Sequence, residues 1–486
     1  MPRFGFVGPS YTLQSTEVAA EECINFFAET NESGAFDQAQ VYGGRSFSGL
    51  KSYYGTPGLK VFADLTYPPR GGIEANGRCF YVSGATFWEI NADGTSSNRG
   101  VVANDYIPAS LAFNSIQILI VAGGHAYCFT LATNALVEVT DQLAGIPVQC
   151  DCSDTYFIVN FQNSNKYQMS QLLDGTTWPG QLVNEVSVFP DNLVSLIANH
   201  RELWLFGNRR SQPFQDTGSA EVFDPIPGAL IEAGCAATFN VVRADNSVFW
   251  IGQDERGAVI AWRSNGYTPQ RISTHAVEVW LSQQANISSL TAYSYQDRGH
   301  LFYMLYLPNS DCSWVYDIGE NLWHKRASWD GNAYHPHWSW NHVFCFGKHL
   351  MGDWNSGKLY EMSFSYLDDN GTLIRRLRQA PVIKQELNRV YVSELRVDFD
   401  AGLGPQPPLV DASNAPRGPQ AMLQVSRDGG KTFGPEHWRD CGMAGETMTF
   451  VRWKRLGQSR RPVFKLIVTD PIQWSIADAY VEFGNA

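Results

Sequence analysis

Cys79-Phe-Tyr-Val-Ser-Gly84 followed by Phe87-Trp-Glu-Ile90 is a short strand of aromatic and β-branched residues, a glycine turn, and a second such strand. Alternation over a few residues, bounded by glycine, signals a half-buried hairpin. The arrangement returns at Ile118-Leu-Ile-Val-Ala-Gly-Gly124 with Ala126-Tyr-Cys-Phe129, and at Tyr156-Phe-Ile-Val159 with Lys166-Tyr-Gln-Met169. It continues at Glu202-Leu-Trp-Leu-Phe-Gly207, at Ser247-Val-Phe-Trp-Ile-Gly252 with Ala258-Val-Ile-Ala-Trp262, and at Leu301-Phe-Tyr-Met304 with Ser313-Trp-Val-Tyr316. The last copy is His342-Val-Phe-Cys-Phe-Gly347 with Lys358-Leu-Tyr360, and successive copies start roughly 35 to 55 residues apart.

Repetition near every 45 residues is the spacing of four-stranded propeller blades, which bury their faces against one another around an axis. The expectation is therefore an all-β chain with a β-propeller of six or seven blades, irregular in places, across residues 66–365. A series of β-sandwiches competes for the same strands. Composition supports β structure: among 486 residues there are 43 Gly and 24 Pro, with 13% aromatic and only 17% charged side chains. Long amphipathic helices need more Glu, Lys, Ala and Leu.

The texture changes after residue 366. Leu367-Asp-Asp-Asn-Gly371 is a turn signal and residues 403–418 form a Pro/Gly/Asn-rich loop. Strands are expected at Tyr391 to Phe399, Met422 to Ser426, Thr447 to Lys454, Val463 to Thr469 and Ile476 to Phe483, giving a C-terminal β-sheet or sandwich over 366–486. Residues 1–65 read as an irregular arm, with an apolar patch at Ile24-Asn-Phe-Phe27 and a turn at Gly55-Thr-Pro-Gly58. Such an arm packs on the C-terminal domain or reaches a neighbouring subunit.

Net charge is −12, unevenly spread: residues 366–486 hold 16 Lys+Arg against 14 Asp+Glu, leaving 20 against 34 for residues 1–365. An acidic body repels a polyanion, because tight nucleic-acid binding needs cations that displace counterions from phosphates. Sequence-reading DNA binding is disfavoured. The apolar stretches are too short to cross a bilayer, so membrane insertion is not expected. The start, Met1 to Ser10, lacks a secretory pattern, which points to synthesis in a cytosol. Nine cysteines without repeated pair spacing fit a reducing compartment, and Cys150-Asp-Cys152 has no second pair to complete a zinc site. No cofactor is expected.

Three constellations bear on chemistry. Ser426-Arg-Asp-Gly-Gly-Lys-Thr-Phe433 looks like the Asp box of sialidase-type propellers. Its work is structural: Asp428 accepts N–H bonds across the turn, Gly429 and Gly430 supply permissive dihedrals, Thr432 completes the turn, and Phe433 enters the next strand. A sialidase needs more, namely a cluster of arginines and a tyrosine nucleophile around a central pocket, and the acid/base carboxylates of a glycosidase leave no mark in sequence spacing. His335, His337, His342 and His349, with Asp330, Cys345 and Asp353, form the best metal candidate, but four nearby tryptophans favour packing histidines. Arg452, Lys454, Arg455, Arg460 and Arg461 form the densest basic cluster. In an extended strand Arg452 and Lys454 share one face while Trp453 and Arg455 take the other. An assembly interface is preferred over DNA contact, since Arg pairs bidentately with carboxylates.

Several segments, in this order, resemble the packaged-DNA stabilisation family, the tail-hub or nozzle proteins of short-tailed bacteriophages. They are Cys23-Ile-Asn-Phe-Phe27, Thr56-Pro-Gly-Leu59, Ser170-Gln-Leu-Leu-Asp-Gly175 with Trp178, Arg201-Glu-Leu-Trp-Leu-Phe-Gly207, Gly234, and Gly266-Tyr267 before Arg271-Ile-Ser273. The end matches most strongly: Val451-Arg-Trp-Lys-Arg-Leu-Gly457, Ser459-Arg-Arg461, Val463-Phe-Lys-Leu466 and Thr469-Asp-Pro471. The sequence departs from the family pattern at Gln212-Pro-Phe-Gln215.

The resemblance implies a structural virion protein, not an enzyme. It would be a homo-oligomer, a ring of six below the portal and its adaptor, holding tail fibres or spikes and a central plug or needle. Such a ring, assembled in the host cytoplasm and placed in the virion tail, retains the packaged genome and passes double-stranded DNA at ejection. No catalytic residue is carried over from the family. A glycan-binding or glycan-degrading tail propeller is the alternative.

Overall fold

The computed structural model describes residues 4–13, 15–16, 19–30, 51–140, 142–187, 191–218, 222–253, 257–385, 388–400, 402, 404 and 408–484. The chain divides into two compact units: Lys60–Ser313 with Pro336–Met362, and Met1–Leu59 with Trp314–His335 and Ser363–Ala486.

The first unit is the propeller. Blade 1 is Pro69–Ala75, Arg78–Ser83, Thr86–Ile90 and Ser96–Val101, and blade 2 is Ser110–Phe113, Gln117–Ala122, His125–Thr130 and Ala135–Glu138. Blade 3 runs from Pro147–Ser153 to Val183–Glu185, blade 4 from Leu193–Asn199 to Phe223–Pro225, and blade 5 from Val242–Ala244 to Thr268–Arg271. Blade 6 enters this unit as the hairpin Thr291–Asp297 and His300–Tyr306. Blade 7 combines Ser339–Cys345, Lys348–Asp353 and Lys358–Ser363 with a strand from the far end of the sequence, Gly58–Asp64. The first strands of successive blades pack side by side in chain order, and that of blade 7 returns to that of blade 1. The ring thus closes on seven blades.

Central strands read as continuous apolar runs because both faces are covered by neighbouring blades; Gln117–Ala122 is buried throughout. Between blades 1 and 2, Phe80 stacks on Phe87 and both touch Phe129, with ring centroids 5.2–5.4 Å apart. Each fully buried phenylalanine contributes about 1.5–3 kcal/mol of transfer free energy. Tyr81 ties blade 1 to blade 7, its hydroxyl donating to the Leu350 carbonyl at 3.1 Å, and Tyr303 ties blade 6 to blade 5 through Asn240 O at 2.9 Å. Closure leaves no spare room: Gly94 has φ +85°, and a Cβ there would sit 2.2 Å from the Phe62 carbonyl oxygen. Gln212-Pro-Phe-Gln215, despite its departure from the family pattern, lies in the third strand of blade 4 with Pro213 opposite Trp204.

The second unit is a β-sandwich. One sheet runs Phe26–Thr30, Lys51–Gly55, Ser475–Phe483, Val390–Phe399, Val451–Ser459. The other contains Ser313–Asp317, Leu322–Trp329, Ala20–Ile24, Arg376–Gln379, Val463–Val468, Gln420–Ser426 and His437–Asp440. Phe26, Leu395, Trp453, Leu466 and Trp474 are among the side chains of the core between them. The five strands expected after residue 366 are therefore split over two sheets and completed by residues 20–30, 51–55 and the 314–335 hairpin. The strand expected at Thr447 to Lys454 is displaced: it begins at Val451 and runs to Ser459. In Ile24-Asn-Phe-Phe27 the chain switches sheets at Asn25, which adopts φ +59°. Its side-chain amide donates to Ala327 O at 2.8 Å and Arg375 O at 3.0 Å, and its Oδ1 accepts the Ala327 N–H at 2.9 Å. Part of the 403–418 loop lies outside the described residues; within it, Leu409–Val410 pairs with Pro416–Arg417.

Candidate functional site

Two of the sequence constellations meet at one edge of the sandwich. Gln420–Ser426 leads into the Asp-box turn, where Ser426 Oγ donates to Asp428 Oδ1 at 2.6 Å. Asp428 also accepts the backbone N–H groups of Lys431 and Thr432 at 3.1 and 3.0 Å and the Thr432 hydroxyl at 2.6 Å. The Gly430 N–H donates to Ser426 Oγ at 2.9 Å, with Gly430 at φ +93°. The bonds from Ser426 and Thr432 hold the Asp428 carboxyl well below the usual carboxylate range. Phe433 departs from expectation: the next strand starts only at His437, and Phe433 stays in the loop with Lys465 Nζ 3.6 Å from its ring centroid.

The basic strand packs against this turn. Ser459 Oγ donates to the Arg427 carbonyl at 2.6 Å, and the Gly429 N–H to that of Arg461 at 3.1 Å. The strand does not alternate as expected. Val392 faces Gly457 while Glu394 faces Lys454, so Arg455 and Leu456 oppose Ser393 alone, in a β-bulge with Arg455 at φ +58°. The bulge turns Arg455 away from the buried Trp453 and leaves it exposed like Lys454.

The five basic residues consequently separate. Lys454 and Arg455 line a cleft of about 460 Å³ together with Arg427, Arg439, His437 and the apolar Phe433, Pro435 and Leu456. Arg452 lies 6.0 Å from the Phe450 ring, which Arg396 also covers at 4.2 Å. Arg460 is exposed and Arg461 half-buried, and neither lines the cleft. Among the described residues, Lys454 has a distant carboxylate, Glu394 at 3.8 Å, while Arg427, Arg439 and Arg455 have none in ion-pair range. Sequence reading missed Arg427, His437 and Arg439, although His437 and Arg439 alternate about Trp438 in a short strand.

The histidine stretch disperses. His335 pairs with Asp330 at 2.8 Å in one unit, and in the other His337 Nδ1 lies 2.6 Å from Ser339 Oγ. His342 Nε2 meets His349 Nδ1 at 3.1 Å, and burial together with His349 pushes the His342 pKa down to about 3. No group of three metal-binding side chains occurs among the described residues. Burial raises the Cys150 thiol, and that of Cys152 to about 12, so neither is poised as a thiolate.

A family model described as "Bacteriophage P22 Gp10, beta-propeller" matches residues 47–366, and a second, "Bacteriophage P22 Gp10, beta-sandwich", matches residues 375–484. The chain belongs to the bacteriophage P22 Gp10 family. As a Gp10-family member it is a tail-hub protein of a short-tailed phage with a structural role in the virion tail, and its propeller and sandwich are the two domains of that family. No curated protein matches the chain. Among solved structures, the N-terminal domain of Nup159 is 10% identical with a TM-score of 0.41, over 63% of this chain and 95% of that one. The extracellular domain of BT4673 from B. thetaiotaomicron is 6% identical with a TM-score of 0.44, over 79% of this chain and 47% of that one. The designed protein Ika8 is 11% identical with a TM-score of 0.37, over 62% and 99%.

Proposed function

We propose that this Gp10-family chain forms, with identical copies, a six-membered ring at the lower end of the tail, below the portal adaptor, through which the genome leaves. The ring retains the packaged DNA, passes it without reading its sequence, and anchors fibres or spikes and a central plug or needle. It is assembled in the host cytoplasm and works mechanically, without catalysis. The family match across both domains carries the reading.

Charge supports it. Residues 1–365 hold 20 basic against 34 acidic side chains, so a passing duplex gains little counterion release from that body and slides instead of sticking. The exposed basic edge of the sandwich, around Arg452, Lys454, Arg455 and Arg460, is the face we assign to subunit or adaptor contact. The test is a particle lacking the chain: packaged DNA should leak from filled heads, and native mass measurement of the purified chain or its tail complex should give a sixfold ring. Particles that keep both DNA and fibres without it would overturn the reading.

A further inference from the structure

The cleft at the sandwich edge has a composition that its own fold does not use. Four basic side chains, Arg427, Arg439, Lys454 and Arg455, surround an apolar floor that includes Phe433 and Leu456. Among the described residues, the one carboxylate they approach is Glu394, 3.8 Å from Lys454. Like charges gathered around a partly enclosed space repel, and the repulsion is relieved only by an anion. The strand's backbone accounts for how Arg455 joins the other three. Arg455 occupies a left-handed backbone position, φ +58°, that glycine would take without cost, in a bulge that swings its guanidinium to the cleft side of the strand. Strained residues of this kind recur where a side chain must be aimed at a ligand.

We propose that this cleft receives an acidic segment of another protein chain, a short extended stretch with two or more Asp or Glu side chains flanking an apolar residue. Planar guanidinium groups match carboxylates in pairs of parallel hydrogen bonds, and the floor accepts the apolar side chain between them. Nucleic acid fits less well. A duplex needs a long open row of cations, whereas this is a cleft of about 460 Å³. Single strands need free aromatic faces for stacking; Trp453 is buried and Lys465 covers one face of Phe433. The inference rests on the tail-hub reading only for where such a segment comes from.

The test is titration calorimetry on the full chain with three probes: a ten-residue peptide of four glutamates around one leucine, sodium tripolyphosphate, and a 20-base-pair duplex. The peptide should bind, and more tightly than either phosphate probe. Arg455→Gly removes the guanidinium while easing the backbone, so the fold is kept; with Arg439→Ala it should weaken peptide binding at least tenfold. Lys166→Ala, exposed on a propeller strand and no part of the cleft, should change nothing. Peptide binding that is absent, that survives the Arg455→Gly/Arg439→Ala pair, or that is weaker than either phosphate probe overturns the proposal. Peptide binding by a chain that proves missing from tails would sink the hub reading alone, and a tail-borne chain that ignores the peptide would sink this inference alone.

Discussion

The indole N–H of Trp453 donates to the main-chain oxygen of His437 across 2.7 Å, joining the edge strand of one sandwich sheet to the edge strand of the other. Trp453 is buried and His437 exposed, so a single bond links the core to the cleft wall. Replacing Trp453 by Phe keeps most of the packing but removes the donor and part of the ring. The expected loss is about 1–3 kcal/mol, read as a lower urea midpoint, with the cleft peptide bound more weakly. A midpoint equal to wild type would show that the two edges hold together without this bond.

Asp428→Ala should cost about 1–3 kcal/mol, because the turn N–H groups of Lys431 and Thr432 lose their acceptor. The pH dependence has a definite sign. A carboxyl whose folded-state pKa is depressed stabilises fully above its unfolded value of about 3.9, and the contribution fades as pH falls below that. Wild type should therefore lose stability faster than Asp428→Ala on acidification below about pH 4. Parallel curves for the two proteins would rule out this role for the turn.

His342 titrates the propeller in the same direction. It lies against Tyr293 of blade 6 and His349 of blade 7, and its folded pKa of about 3 is far below the ordinary value for histidine. Protons bind the unfolded chain first, so stability present above about pH 6.5 drains away as pH falls toward 3. His342→Gln should flatten this slope, as followed by thermal melts between pH 7 and 4.

Reversing Arg455 and Arg460 to Glu should leave a folded monomer that fails to enter tails. Desolvated charge pairs at interfaces lose about 2–5 kcal/mol when one partner goes. If the cluster instead served DNA, the variant would build normal tails and lose duplex affinity, with a smaller salt slope. Counting the chain in purified tails by mass spectrometry separates the two.

Much of the propeller was legible because each blade's central strands are apolar on both faces, as at Cys79–Val82 and Ile118–Ala122. Fourth strands were not: Ser96–Val101 is mostly polar and half-buried, and Ala135–Glu138 is short and largely exposed, so neither shows the apolar run of a central strand. Residues 58–64 read as part of an arm, since nothing local records that their partner strand is Lys358–Ser363. The site was half legible. Charge density marked Lys454 and Arg455, and the Asp box marked its turn, but arginine carries no signature of positive φ. The bulge that unites Arg455 with the residues around Arg427 therefore had no sequence signal beyond Gly457.

The strand Gly58–Asp64 sets a timetable for the chain's birth. It emerges from the ribosome before any blade exists, yet its place in blade 7 is made roughly 300 residues later. At about 20 residues per second, the upper end of synthesis rates, it waits on the order of 15 seconds or longer, unpaired. Closing the ring is then a late, long-range event of the kind that folds slowly. During that interval the strand is open to capture by another copy's unfinished blade, so exchange of this segment between nascent chains is the characteristic hazard of making many copies side by side.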